Sequence, residues 1–275
     1  DGQGRDPGAS RLRSTVSEEA LLLTEAPLSS YKPTDLPGIL TFHAPGSNRP
    51  DEELGRIITV NKGRHGGGFG WCPSCEHAVP AVGVGPNNSW QQPMTLQPHT
   101  NPRTGRDCRY DPSFQVWPID LAHVFETDVR AILFEGTPRD PNGDTIISTK
   151  IDRTLQESLR LGAAELLETD ARDLRAIVQR LDGHLVIVLF DTVSGGAGYS
   201  TRLTQEKNFQ AADLLLAARA ILNCENSDCV TSCTRCLNDY SNQRLWSEFE
   251  RRPALAWIEA ILLDAGVKII PSWTQ

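Results

Sequence analysis

Four cysteines near the C-terminal end of the chain constrain its fold more than any other feature. They lie within thirteen residues in the spacing Cys-x4-Cys-x3-Cys-x2-Cys, at Cys224, Cys229, Cys233 and Cys236. Zn²⁺ prefers tetrahedral thiolate sites, and a Cys-x2-Cys turn lets two sulfur atoms reach one ion. Two disulfides or free buried thiols are the alternatives, but the close spacing and the absence of a secretory signal favour a metal. We expect a structural zinc site, because four thiolates leave no open coordination position.

The length and composition of the chain are those of an ordinary soluble protein. Its 275 residues could form one large domain or two small ones, with 39% hydrophobic and 23% charged residues. No apolar run approaches the roughly 18 residues that a membrane span requires, so we expect a cytoplasmic protein. The chain begins at Asp1 without a methionine, and its single methionine is Met94. We therefore expect it to be the C-terminal piece of a longer protein.

The net charge excludes one mode of nucleic-acid recognition and leaves another open. With 27 basic and 35 acidic residues the chain carries a charge of −8, so the molecule as a whole does not attract DNA. Any contact with DNA must come from local basic patches, and a solvated surface is the alternative. The candidates are arginines beside the cysteine-rich segments: Arg103, Arg106, Arg109, Arg235, Arg244, Arg251 and Arg252.

A second group of potential metal ligands lies earlier in the chain. Seven cysteines is an odd number, which fits two metal sites of which one is completed by a histidine. Cys72 and Cys75 form a Cys-Pro-x-Cys turn, Cys108 supplies a third ligand, and His99 is the expected fourth, with His77 as the alternative. A redox function of the Cys72–Cys75 pair is less well supported, because such pairs usually open a helix.

Two other polar segments are weak candidates for a binding or catalytic site. The glycine-rich turn at 62–70 lacks the lysine and hydroxyl residue of a phosphate-binding loop, and we interpret it as a turn leading into Cys72. His123 and Glu126 precede a predicted strand at 127–135, and Asp128 lies at its start. These three residues could form an acid–base or metal site, but carboxylates beside strands more often make structural pairs.

Periodicity predicts strands and then helices. We expect strands at 21–23, 39–42, 56–60 and 185–190, and helices over 152–167, 174–181, 208–223 and 254–263, with an edge strand at 267–270. Thr154 with Glu157 is expected to cap the first helix, and Gly183 to end the second. The apolar strand 185–190 is expected to lie inside a sheet.

A glycine-rich loop follows that apolar strand. It contains Asp191, Ser194, Gly195, Gly196 and Gly198. Ser194 as a nucleophile, or the loop as a phosphate site, would fit its position after a strand, but neither the nucleophile-elbow motif nor a phosphate-loop lysine is present. A structural loop, with Asp191 binding its amides, or a contact to a nucleic-acid backbone, fits better.

These features together predict an α+β fold. Residues 1–18 are expected to form a flexible lead-in, 19–150 a β-rich zinc-ribbon-like region, and 151–275 an α/β domain closed by a Cys₄ zinc knuckle.

The C-terminal part resembles the MrfA-type zinc-binding domain. The resemblance rests on Phe190-Asp-Thr-Val-Ser-Gly-Gly-Ala-Gly-Tyr199, on the four cysteines, and on Cys236-Leu-x-x-Tyr-x-Asn-Gln243. Such domains occur in superfamily 2 DNA helicases and in the DrmB component of the DISARM system. The segment from 61 to 129 is similar to the one that precedes the domain in long helicase-type members. The chain departs from the family at Ser194, where relatives often have proline, and at 249–251.

The resemblance implies a zinc-binding module in an ATP-driven DNA-processing machine, in repair or in anti-phage defence. Its four cysteines would be the zinc ligands, and a helicase motor, fused or separate, would be the partner that brings it to DNA. The chain has no Gly-x4-Gly-Lys-Ser/Thr and no Asp-Glu-x-His motif, so we expect no ATP hydrolysis by this piece alone. A hydrolase that uses Ser194 or the His123/Asp128 region is the alternative function.

Overall fold

A computed structural model describes residues 18–24, 26–46, 54–63, 67–80, 93–138, 144–205 and 210–270. The strands are β1 (Glu18–Leu22), β2 (Lys32–Pro33), β3 (Ile39–Ala44), β4 (Arg56–Asn61), β5 (Phe69–Cys72), β6 (His77–Pro80), β7 (Met94–Thr95), β8 (Gln115–Val116), β9 (Pro118–Ile119), β10 (Leu121–Glu126), β11 (Val129–Phe134), β12 (Leu174–Leu181) and β13 (His184–Asp191). The α-helices are α1 (Thr145–Leu166), α2 (Tyr199–Gln205), α3 (Ala211–Leu222) and α4 (Arg251–Asp264), and 3₁₀ segments cover Leu28–Ser30 and Tyr240–Glu248. No helix in these ranges is long and apolar enough to cross a membrane.

The fold is mixed α+β, as the sequence predicts, and it divides into two compact units. The first unit contains Ile58–Val124 together with the N-terminal segment up to Leu21. The second contains Leu22–Ile57 and Phe125–Gln275. The strands β1, β4 and β10 form a sheet in the order β1-β4-β10. Of the predicted lead-in over 1–18, residues 1–17 lie outside the described residues, and Glu18 begins β1.

An antiparallel five-stranded sheet in the order β12-β13-β11-β3-β2 organises the second unit. β13 lies inside this sheet, as expected, since β11 and β12 flank it and Leu185–Phe190 is at most 2% exposed. Because alternate residues of a strand face opposite sides, Leu185, Ile187 and Leu189 share one face. They belong to a core with Leu155 and Leu159 of α1.

The helix predicted over 174–181 is wrong, because these residues form β12. Leu174–Leu181 pairs with β13 in an antiparallel hairpin whose two-residue turn is Asp182-Gly183. Both turn residues have positive φ, +49° and +84°. This is the geometry of a type I′ turn, which matches the twist of paired strands and favours Asp-Gly. Ile177 and Val178 are β-branched and fit the pleated surface, so Gly183 closes a hairpin rather than a helix.

Two further expectations are corrected. Helix α1 begins at Thr145, where Asp144 Oδ1 accepts a hydrogen bond from the Ile147 N–H at 3.3 Å, so Thr154 and Glu157 lie inside this helix and do not cap it. Residues 267–270 form no strand. The N–H of Val267 instead bonds back to the carbonyl of Leu262 at 2.9 Å, which ends α4 in a turn.

Smaller sheets form the first unit. β5 pairs with β6 and with β9, and β7 pairs with β8, all antiparallel. Its core is small and contains Cys72, Cys75, Val79, Met94 and Leu96. Two of these five core residues are therefore cysteines.

Candidate metal centres

The four C-terminal cysteines converge at one point between α3 and the 3₁₀ segment Tyr240–Glu248. Their ligand atoms all lie within 4.8 Å of one another. The sulfur of Cys233 is 3.7 Å from that of Cys224 and 3.8 Å from that of Cys236, and Cys229 and Cys236 are also 3.8 Å apart. Helix α3 places Cys224 just after its last residue, and tight turns return the chain to Cys233 and Cys236.

These distances fit a tetrahedral zinc site. Zinc–sulfur bonds of about 2.3 Å separate the sulfurs of a regular tetrahedron by about 3.8 Å. A disulfide would instead bring two sulfurs to about 2.05 Å. All seven cysteines are free, so the disulfide alternative does not describe this structure.

Hydrogen bonds and burial prepare this cluster for a cation. Burial raises the pKa of Cys233, but the Arg235 N–H, the Asn226 amide and neighbouring thiols lower it to about 6 overall. Burial and the negative charge of neighbouring thiolates raise the pKa of Cys236 to about 12. One thiolate thus forms readily, whereas several together repel each other. A divalent cation removes that repulsion.

Two buried polar residues support the turns that carry these cysteines. Arg251, at the start of α4, is 7% exposed and donates to the Leu222 and Cys229 carbonyls, each at 2.8 Å. Asn242 is 8% exposed and donates to the Leu237 carbonyl and to Glu157 Oε1, each at 2.7 Å.

Glu157, which accepts the hydrogen bond from Asn242, lies in helix α1. Its carboxylate pairs with Arg160 at 2.7 Å. The buried carboxylate therefore joins α1 to the segment that follows Cys236. The sequence interpretation missed this link, although Asn242 belongs to the motif on which the resemblance rests.

The first unit brings Cys72, Cys75, His99 and Cys108 together in the same way. Cys72 ends β5, Cys75 lies in the turn before β6, and the loop that carries His99 and Cys108 is closed by a bridge between Thr100 and Asp107. Cys72 Sγ is 3.7 Å from Cys108 Sγ, and Cys75 Sγ is 3.4 Å from His99 Nε2. With zinc–nitrogen bonds of about 2.0–2.1 Å, a tetrahedral sulfur–nitrogen separation is about 3.5 Å.

The structure favours His99 over His77 as the fourth member of this group. His99 Nδ1 lies 2.8 Å from the Gln97 carbonyl, which leaves Nε2 directed to the cluster, as in many metal sites. His77 lies exposed on β6 and does not belong to the cluster. Burial raises the pKa of Cys72, but the Cys75 and Ser74 amides lower it to about 7.

The glycine-rich loop is held by two carboxylates. Asp191 accepts hydrogen bonds from the amides of Ala197, Tyr199 and Ser200 at 2.8–3.0 Å. Asp128 accepts from the amides of Gly198 and Gly46, each at 2.9 Å. These carboxylates occupy the donors that a phosphate would need, so the structural interpretation of the loop describes it better.

The residues of the alternative hydrolase each make local contacts of their own. Ser194 is exposed, and within the described ranges its hydroxyl bonds to no side chain. Glu126 contributes its backbone carbonyl, which accepts from the Gly195 amide at 2.7 Å. The backbone carbonyl of His123 lies 3.4 Å from the Thr59 hydroxyl. The Asp128 carboxylate accepts hydrogen bonds from backbone amides rather than from Ser194.

The predicted DNA-binding arginines separate into exposed and buried groups. Arg106, Arg109, Arg235, Arg244 and Arg252 are exposed, and Arg103 is exposed but pairs with Glu76 at 3.0 Å. The assignment of Arg251 is corrected, because its buried guanidinium binds two carbonyls and is closed to phosphates.

The fold brings the four C-terminal cysteines together at the spacing of a tetrahedral zinc site. Residues 155–237 match the family described as the MrfA Zn-binding domain, and this range contains all four C-terminal cysteines. The resemblance stated from the sequence is therefore confirmed over these residues.

Individual relatives are much longer than this chain. The Druantia protein DruE of Escherichia coli (strain UMEA 4076-1) is 30% identical over 215 residues, which cover 72% of this chain and 11% of DruE. The chain thus corresponds to about a tenth of that relative. The crystal structure of the DUF1998 helicase MrfA bound to DNA is also similar, with a TM-score of 0.46, 11% identity, and coverage of 89% of this chain and 25% of MrfA. The structure of MrfA bound to DNA and AMPPNP gives a TM-score of 0.35 at the same identity.

Proposed function

We propose that this chain binds two zinc ions and acts as a non-catalytic module of a helicase-type DNA-processing protein. The observation that carries the proposal is the spacing of the ligand atoms. Two separate groups have sulfur–sulfur or sulfur–nitrogen distances of 3.4–3.8 Å, which suit one tetrahedral ion each. Cys224, Cys229, Cys233 and Cys236 would hold one ion, and Cys72, Cys75, His99 and Cys108 the other.

The ions would have a structural role. Bound zinc would crosslink the turns that carry its ligands, with both coordination shells closed by protein ligands. In the second unit, the cysteines would fasten the end of α3 to the segment that leads into α4. Arg251 and Asn242 would then hold the same turns from the buried side. Free thiols at zinc spacing also suit a reducing compartment, and we propose a cytoplasmic location.

The partner would be a helicase motor, either fused to this chain or a separate subunit. Similarity to the MrfA Zn-binding domain and to DruE supports this proposal. The module would stabilise the motor and guide DNA in a repair or anti-phage defence system. Exposed arginines beside both clusters would contact phosphates: Arg103, Arg106, Arg109, Arg235, Arg244 and Arg252.

Metal analysis of the purified chain tests the proposal directly. We expect two zinc ions per chain, and one in each of the variants Cys233→Ser and Cys72→Ser. Ser194→Ala is the matched control and should keep both ions. A stoichiometry near zero, or unchanged stability of Cys233→Ser in EDTA, would contradict the zinc proposal.

A second experiment tests the absence of catalysis. The wild-type chain and Ser194→Ala should be equally inactive on phosphodiester and peptide substrates. Turnover by the wild type that Ser194→Ala abolishes would instead establish the hydrolase alternative.

A further inference from the structure

Two tryptophans lie exposed beside the first metal centre. Trp71 is 48% exposed and Trp117 is 60% exposed, although tryptophan side chains are usually mostly buried. β5 and β9 pair through Phe69 with Ile119 and Gly70 with Pro118. Continuing this register by one residue would place Trp71 opposite Trp117. Residues opposite each other in neighbouring strands project from the same face of a sheet.

The packing of Gly70 shows which face this is. A Cβ added at Gly70 would overlap Leu96 and Val116, so Gly70 faces the small core of the first unit. Side chains alternate along a strand, and Trp71 therefore projects from the opposite, open face. An exposed pair of large aromatic side chains typically marks a binding surface.

The charges around the pair indicate what binds there. Trp71 precedes Cys72 and Arg109 follows Cys108, and the two sulfurs are 3.7 Å apart, so both residues flank the same cysteine cluster. Arg106 and Arg109 are exposed on the same loop. The first unit, Asp1–Leu21 with Ile58–Val124, contains eight basic and eight acidic residues, whereas the second contains 19 basic and 27 acidic residues. The aromatic pair thus lies in the one unit that does not repel a polyanion.

We propose that Trp71 and Trp117 form a stacking site for the bases of a single-stranded nucleic acid, whose phosphates contact Arg106 and Arg109. This inference rests on the proposed function and names the DNA form that the module recognises. Aromatic side chains stack on any base, and neighbouring arginines follow the backbone, which gives binding without sequence preference. A protein segment seated on the same face is the competing occupant, and the experiment below separates the two.

The test is binding of the zinc-loaded full chain to a fluorescein-labelled oligothymidylate and to a duplex of equal length. Trp71→Ala and Trp117→Ala should each weaken single-strand binding by about tenfold, since loss of one stacked base costs about 1–3 kcal/mol. Tyr240→Ala is the matched control, because Tyr240 is an aromatic residue, 88% exposed, beside the other cysteine cluster. It should bind like the wild type.

Two further measurements separate a lost contact from a lost fold. Zinc content should stay at the wild-type value in both alanine variants, and Trp71→Phe should retain most of the single-strand affinity. Photocrosslinking of an iodouracil-containing strand to the wild-type chain should label peptides that contain Trp71 or Trp117.

The outcomes distinguish this inference from the broader proposal. Salt-dependent DNA binding that is equal in the wild type, Trp71→Ala and Trp117→Ala would overturn the stacking site and keep the DNA-guiding function. Retained affinity together with crosslinks elsewhere would do the same. No binding of the wild-type chain to either probe would overturn both.

Discussion

The guanidinium of Arg251 donates a 2.8 Å hydrogen bond to the backbone carbonyl of Cys229, one of the clustered cysteines. A second donor of the same side chain binds the Leu222 carbonyl at the end of α3. One buried cation at the start of α4 therefore joins three segments: the end of a helix, a cysteine turn and the next helix. A helix leaves its last carbonyls without intrahelical partners, and Arg251 satisfies one of them.

Replacing Arg251 with alanine should destabilise the second unit and weaken its hold on zinc. The change leaves two carbonyls without a charged donor, and we expect a loss of about 2–4 kcal/mol in unfolding free energy. Arg251→Lys should recover little, because an ammonium cannot reproduce the two-pronged geometry. Urea denaturation and the rate of zinc release to a chelator measure both effects.

Arg252→Ala is the control for this prediction, because Arg252 is the adjacent exposed residue. Its unfolding free energy should stay within about 0.5 kcal/mol of the wild type. If Arg251→Ala kept full stability and lost only DNA affinity, the surface assignment made from the sequence would be correct after all.

Asn242 should be as important to stability as a core aliphatic residue. It donates to Glu157 and the Leu237 carbonyl, and its Oδ1 accepts from the Trp246 indole at 2.9 Å. Asn242→Ala removes these three hydrogen bonds, although Glu157 keeps its pair with Arg160, and should cost about 2–4 kcal/mol, or a fall in Tm of roughly 4–16 °C. Gln243→Ala, at the exposed neighbour, should leave the Tm unchanged. Equal melting of the two variants would show that the Glu157–Asn242 bond contributes no net stability.

The sequence is sufficient to predict features whose chemistry requires a fixed spacing between residues. Two sulfurs of a Cys-x2-Cys turn reach one ion through local geometry alone, and the odd number of cysteines indicates that a histidine completes the other cluster, with His99 and His77 as candidates. The apolar run 185–190 similarly predicted an interior strand. Asp191 was identified as the residue that binds the loop amides, because a carboxylate before a glycine turn has few other local donors.

The errors arose where two local signals competed or where burial decided the outcome. The apolar residues of β12 have a spacing that is compatible with a helix, and Gly183 is then expected to end it. The Asp182-Gly183 pair is the stronger signal, and it favours a hairpin. Burial of Arg251 and Glu157 depends on tertiary packing, which neither residue type indicates by itself. A charged residue near a metal ligand can face water or hold the ligand's turn, and only the fold distinguishes the two.

Gly196 should tolerate no side chain, whereas Gly198 should tolerate alanine at a modest cost. Both have positive φ, +80° and +84°, so alanine strains either backbone by about 1–2 kcal/mol. A Cβ at Gly196 would also overlap the Asp128 carboxylate, but one at Gly198 would meet no atom within 4 Å. Gly196→Ala should therefore be the less stable variant in thermal denaturation by a clear margin. Similar melting temperatures would mean that the Asp128 side chain can move away from the added methyl group at little cost.

Acidification should release zinc from both clusters. In the folded chain the pKa of Cys72 is lowered to about 7 and that of Cys233 to about 6, both from 9.0, so each thiolate stabilises the fold above the unfolded value and loses that contribution as the pH falls through the folded one. Protons compete with zinc for each thiolate, so the zinc content should fall as the pH is lowered from neutral. A zinc-sensitive dye should report two ions released per wild-type chain and one per chain of Cys72→Ser or Cys233→Ser. Full zinc content of the wild type at a pH below both folded values would contradict this account.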